Sequence, residues 1–128
     1  NLQSLHLSGN GIYSTMPNIP ADSVIENISM AYNRLHGSIP ASLQKWGRMK
    51  YLDLSFNWLS GTCSDMTNYN LDDGANSTTL FLATNRLSGN IPSNFKHAVD
   101  ISVLTGNLFN CDSTTTLILP TTNMLVGH

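Results

Sequence analysis

Charge is scarce in this sequence: Lys, Arg, Asp and Glu make 11% of its 128 residues, and the formal net charge is −2. That excludes a nucleic-acid partner of the usual kind, which requires a basic stripe to neutralise phosphates. Cysteine is scarcer still. Cys63 and Cys111 allow one disulfide at most, too few for a disulfide-held scaffold. No apolar run approaches the roughly 18 residues of a membrane span. The opening NLQSLHLSGN lacks a charged and an apolar leader region, so no signal peptide is read there. Glycine-rich phosphate loops and a Gly-x-Ser-x-Gly elbow are missing too.

What the chain does have is asparagine, 15 residues of it, with abundant Leu, Ser and Thr. Hydrophobic residues make 41%, enough for a core and too much for a disordered chain. Low charge with this polar composition suits an extracellular or cell-surface glycoprotein.

The asparagines expose a repeat. Asn10, Asn33, Asn57, Asn85 and Asn107 follow one another at spacings of 23, 24, 28 and 22. Three residues before each stands an apolar residue: Leu7, Met30, Leu54, Leu82, Leu104. Five before stand Leu5, Ile28, Leu52 and Leu80, with Ser102 as the one exception. Two after stand Ile12, Leu35, Leu59, Leu87 and Phe109. The pattern is LxxLxLxxNxL, at the period of a solenoid. The second half of each unit is also shared: LHGSIP (35–40), LSGTCS (59–64), LSGNIP (87–92) and a looser IYSTMP (12–17).

Together these motifs resemble the plant-type extracellular leucine-rich repeat, LxxLxLxxNxLSGxIP, of receptor-like kinases, receptor-like proteins and polygalacturonase inhibitors. The resemblance covers residues 1–111. It implies an α/β-type repeat solenoid, a right-handed coil with one parallel β-sheet and an irregular or 3-10 return side. About five repeats are expected in 1–111, with an inserted loop near 63–77 and a degenerate C-terminal segment at 112–128. The chain starts inside a repeat and shows no recognisable cap, so it reads as a fragment of a longer polypeptide.

Each motif position has a physical reason. LxL is a short strand of period 2, whose leucines face in while the residues between them face out. Each Asn marks the turn off the strand, where its amide can satisfy backbone groups that would otherwise be buried unpaired. Gly37, Gly61 and Gly89 provide turn conformations, Pro17, Pro40 and Pro92 fix the return side, and Leu43, Trp46 and Phe95 fill the core from there. The insertion CSDMTNYNLDDGANS reads as a solvated loop. Its Asn68, Asn70 and Asp72 alternate as calcium ligands do, but the required Gly and closing Glu are absent, so no metal site is assigned.

No catalytic set emerges. His6, His36, His97 and His128 share no metal-ligand spacing. Asp53 is the only carboxylate on the inferred sheet face, without a partner for acid–base work. Cys63 and Cys111 lie two coils apart, about 10 Å along the axis, too far to bond in a regular solenoid. The expectation is no enzyme activity, no cofactor and no metal. Two sequons, at Asn27 and at Asn76, are candidate glycosylation sites.

Function should therefore sit on the outward strand positions. Tyr51, Asp53 and Phe81 fall together in the central coils, and the expected register continues the patch through Ile101 and Val103. Exposed aromatics on a sheet suit a protein, peptide or glycan partner. The alternative is a structural protein whose uncapped ends self-associate into a sheath, wall or fibre. Mixed chemistry in the outward columns favours recognition.

Overall fold

The computed structural model describes residues 2–71, 77–97, 101–103 and 105–110. The expectations for Asn76, Leu104, Cys111, His128 and the segment 112–128 fall outside them. Nine short strands are described: β1 (Ser4–His6), β2 (Asn27–Ser29), β3 (His36–Ser38), β4 (Tyr51–Asp53), β5 (Trp58–Thr62), β6 (Thr79–Phe81), β7 (Arg86–Gly89), β8 (Ile101–Ser102) and β9 (Leu108–Phe109).

The strands before each Asn pair in parallel as a five-stranded sheet, β1-β2-β4-β6-β8. Leu5 aligns with Ile28, Ile28 with Leu52 and Leu52 with Leu80. Ile28, Met30, Leu52, Leu54, Leu80 and Leu82 are buried, while Leu5 and Leu7, in the first coil, are half-buried against them. One coil thus covers the next, and the core is a continuous stack of apolar rows.

The expectation of a single sheet is incomplete. The segments after each Asn form a second parallel sheet, β3-β5-β7-β9. The LSG stretch runs extended, so its backbone groups meet those of the coil above and below and pair with them. Gly89 explains why the motif needs glycine there. Its φ is +81°, and a Cβ would sit 2.9 Å from the Thr62 methyl of the preceding coil.

Between the sheets runs the asparagine ladder. Asn57 donates from Nδ2 to the carbonyl of Leu54 in its own coil (3.1 Å) and of Met30 in the coil before (2.9 Å). Asn33, Asn85 and Asn107 repeat the arrangement toward Leu7, Leu54 and Leu82 respectively. In each case Oδ1 accepts a backbone N–H of the preceding coil: Ile12, Leu35, Leu59 and Leu87.

The return side carries a single helical turn (Ala41–Gln44) and 3-10 turns at Met66–Asn68 and Ser93–His97. Leu43 and Phe95 are buried there, and Trp46 donates from Nε1 to the Ile25 carbonyl at 2.8 Å. Buried Gln44 bridges coils, donating to the carbonyls of Ile39 and Thr62 and accepting the Asp65 N–H.

The solvated-loop reading of the insertion needs correction for residues 63–71. Cys63, Met66, Tyr69 and Leu71 are all buried, and the Tyr69 hydroxyl donates to the Leu43 carbonyl at 2.7 Å. Their recurring two- and three-residue spacing turns one apolar side inward, so the first part of the insertion extends the core. Among the described residues no helix is long and apolar enough to cross a membrane.

Candidate binding face

The five-stranded sheet presents its outward residues in columns set by the register. Ser4, Asn27, Tyr51 and Thr79 form one column; His6, Ser29, Asp53, Phe81 and Ser102 form the next. The sheet thus places Asp53 beside Phe81. Tyr51 and Phe81 meet edge to face, their ring centroids 5.9 Å apart at 69°. All three are half-buried.

Val103 does not join this patch, and the backbone register at Ile101 differs from the expected one. Ile101 pairs with inward Leu80 and Ser102 with outward Phe81, and Val103 is only 1% exposed. The fifth coil is therefore displaced by one residue from the expected register. Its ladder shows the reason: Asn107 donates to the carbonyl of Val103, four residues back, where Asn85 reaches Leu82, three back. One extra residue between strand and turn puts Val103 inside and aligns Ser102 with the outward column. The alternative would set a serine in the core and Val103 in solvent.

The structure adds two aromatics that the alternation rule missed. Tyr32 and Phe56, each immediately before a ladder Asn, are 61% and 43% exposed. Their rings stack face to face, with centroids 4.4 Å apart and planes within 8°. Both have left-handed backbones, φ 56° and 57°, as does Thr84 at 59°. The end members of this column are glycines, Gly9 and Gly106, both with φ 72°. A left-handed conformation costs a non-glycine residue roughly 1–2 kcal/mol, so two bulky aromatics hold a position suited to glycine. The legible signal was this column itself, Gly-Tyr-Phe-Thr-Gly.

Tyr32, Phe56 and Phe81 border one groove of about 300 Å³, with Asp53 and the small residues Ser55, Ala83 and Ser102. Ser55 fixes the carboxylate: its N–H and its hydroxyl both donate to Asp53 Oδ1. Asn27 sits at the flank of the face, donating from Nδ2 to Ser4 Oγ at 3.1 Å.

A second aromatic group lies on the other sheet, also missed. Tyr13 packs on His36 at 4.5 Å and edge-on to Trp58 at 6.3 Å, and the Arg86 guanidinium stands 5.9 Å over the Trp58 ring. The remaining chemistry is sparse. No cluster of three His, Cys, Asp or Glu side chains able to hold a metal occurs among the described residues. Cys63 is a free, buried thiol, and burial pushes it up from 9.0 to about 12. The exposed arrangement can stack, exclude water and offer one carboxylate, which is the chemistry of recognition.

Comparison with known proteins agrees with this geometry. The Leucine Rich Repeat family model matches residues 1–22 and 76–98. Over 75 residues the chain is 35% identical to Receptor-like protein kinase 7 of Arabidopsis thaliana, covering 55% of this chain and 7% of that protein. A chain in the crystal structure of the BIR3–SERK2 complex from Arabidopsis thaliana superposes with a TM-score of 0.65 at 22% identity, covering 94% of this chain and 65% of that one.

Proposed function

We propose that this chain, a plant-type leucine-rich-repeat protein, is a non-enzymatic module that binds a protein or peptide partner through the outer face of its five-stranded sheet. One observation carries the reading. Tyr32 and Phe56 hold left-handed backbones while their side chains stay exposed, stacked on each other beside Phe81 and Asp53. Strain of that kind persists where the surrounding fold imposes it, and it concentrates at ligand-binding positions. Stacked aromatics bring large contact area with little entropy left to lose.

The proposed footprint is Tyr32, Tyr51, Asp53, Phe56 and Phe81. The extracellular or cell-surface setting is part of the same proposal, supported by the repeat type, the receptor-like kinase relative and the sequon at Asn27. A glycan on Asn27 would screen the N-terminal flank and leave the groove open. The BIR3–SERK2 neighbour is itself part of a protein complex, which fits a protein partner here.

Selection of a displayed random-peptide library on the immobilised chain tests the reading. Enriched peptides should lose tenfold or more in affinity on Phe81→Ala and on Phe56→Gly. Unchanged affinity for both variants would place the binding site elsewhere.

A further inference from the structure

We infer that the groove between Tyr32, Phe56 and Phe81 takes a cation, the guanidinium or ammonium of an Arg or Lys side chain in the partner peptide, with Asp53 as its counter-ion. The inference rests on the sheet-face reading and adds the chemistry of what enters it.

Charge is the first argument. Asp53 is the one charged residue lining the groove. None of Arg34, Lys45, Arg48, Lys50 and Arg86 lines the groove; Lys50 bridges to Glu26 at 3.2 Å, and Arg86 covers Trp58 on the second sheet. No described Lys or Arg pairs with Asp53. Geometry is the second argument. The two bonds from Ser55 both fall on Oδ1, and Oδ2 accepts none from a described residue. The carboxylate is thus held in one orientation with an oxygen left for a ligand. The aromatic rings are the third. A stack engages one face of each ring, so Tyr32 and Phe56 each keep a face for an incoming group. Ring faces attract cations within about 6 Å, and a guanidinium can lie flat on a ring while its edge N–H groups reach a carboxylate. The volume, about 300 Å³, suits one long side chain threaded from a bound strand of peptide.

The probe is N-acetyl-arginine methylamide, and its neutral isostere is the citrulline compound. Titration of each into the intact chain, followed by NMR on the ring resonances of Tyr32, Phe56 and Phe81, reads the binding. The arginine compound should bind about tenfold more tightly than the citrulline compound. The preference should fall at high salt and vanish in Asp53→Asn, a variant that keeps an oxygen for the Ser55 bonds. Equal affinity of the two compounds, or a preference that survives Asp53→Asn, overturns the inference. The salt and citrulline comparisons stand on the parent protein, so they decide even where the variant folds poorly. The two readings fail separately. Library peptides that lack Arg and Lys yet depend on Phe81 would remove the cation and leave the sheet face; peptides indifferent to Phe81 would remove both.

Discussion

The side-chain oxygen of Asn57 accepts the backbone N–H of Leu35 at 3.0 Å, across the gap between adjacent coils. The same amide donates to the carbonyls of Met30, Leu54 and Ser55, so one buried side chain bonds four backbone groups in two coils. Stacked coils leave these groups without water, and no regular secondary structure reaches them. Replacing Asn57 with Leu keeps the volume and strands the Leu35 N–H, while the Met30 and Leu54 carbonyls each lose one of two donors and keep Asn33 and Asn85 respectively. Loss of roughly 1–3 kcal/mol is expected, the cost of one unsatisfied buried donor. Urea unfolding of Asn57→Leu beside the parent measures it. A loss below about 1 kcal/mol would mean that the coils close without the ladder.

Thr84 gives the opposite sign. It is exposed, β-branched and left-handed at φ 59°, in the column whose ends are glycine. Relief of the left-handed penalty, roughly 1–2 kcal/mol, outweighs the extra chain entropy of glycine, roughly 0.5–1 kcal/mol. Thr84→Gly should therefore stabilise the protein by about 0.5 kcal/mol. Phe56→Gly gains the same relief but loses the Tyr32 stack, about 0.5–1.5 kcal/mol, and should be near neutral. Thermal melts of both variants separate a strained binding position from a structural one: a large loss in Phe56→Gly would make the stack part of the scaffold.

The repeat was legible because its residues are forced by geometry. Leu52 and Leu80 must face in, Asn57 must sit at the turn, and each recurs at the period of the coil. Three things were not legible. The alternation rule assigns outward positions inside strands only, and so passes over Tyr32 and Phe56, which project from the turn that follows. In the fifth coil, counting back from Asn107 assumes a fixed strand-to-turn distance, and the inserted residue breaks that assumption. Ser102 at a leucine position was the warning. The second sheet was hidden because LSG stretches carry no period-2 pattern; their pairing comes from stacking of coils.

Alkaline pH should weaken the fold through two buried acids. Burial raises the Cys63 thiol from 9.0 to about 12, and raises the Tyr69 phenol well above its ordinary range. In the unfolded chain both ionise near their ordinary values, while the folded chain keeps them neutral. Above about pH 9 the unfolded state therefore binds fewer protons, and stability falls as pH rises toward the folded-state values. Below about pH 7.5 neither group contributes an appreciable slope. Unfolding free energies between pH 7 and 11 should show that onset, and Cys63→Ala should lessen the fall. The same burial protects Cys63 from alkylation. Peptide mapping after iodoacetamide at pH 8 should find Cys63 unmodified in the native protein and modified in urea.

The displaced register of the fifth coil makes the last prediction. Val103 is buried beneath the sheet, and Ser102 stands in the outward column next to Phe81. A count from Asn107 assigns them the other way round. The two residues are neighbours of similar size, so charging each in turn tests the register directly. Val103→Asp buries a carboxylate with no counter-charge and should lower stability by 3 kcal/mol or more, on the order reported for unpaired buried charge. Ser102→Asp puts the same group in solvent and should change stability by about 0.5 kcal/mol or less. It also sets a second carboxylate on the same groove, two strands from Asp53 across Phe81. Affinity for the arginine probe should then rise in Ser102→Asp. If Ser102→Asp unfolds the chain and Val103→Asp does not, the strand faces the other way, and Ile101 and Val103 return to the binding face.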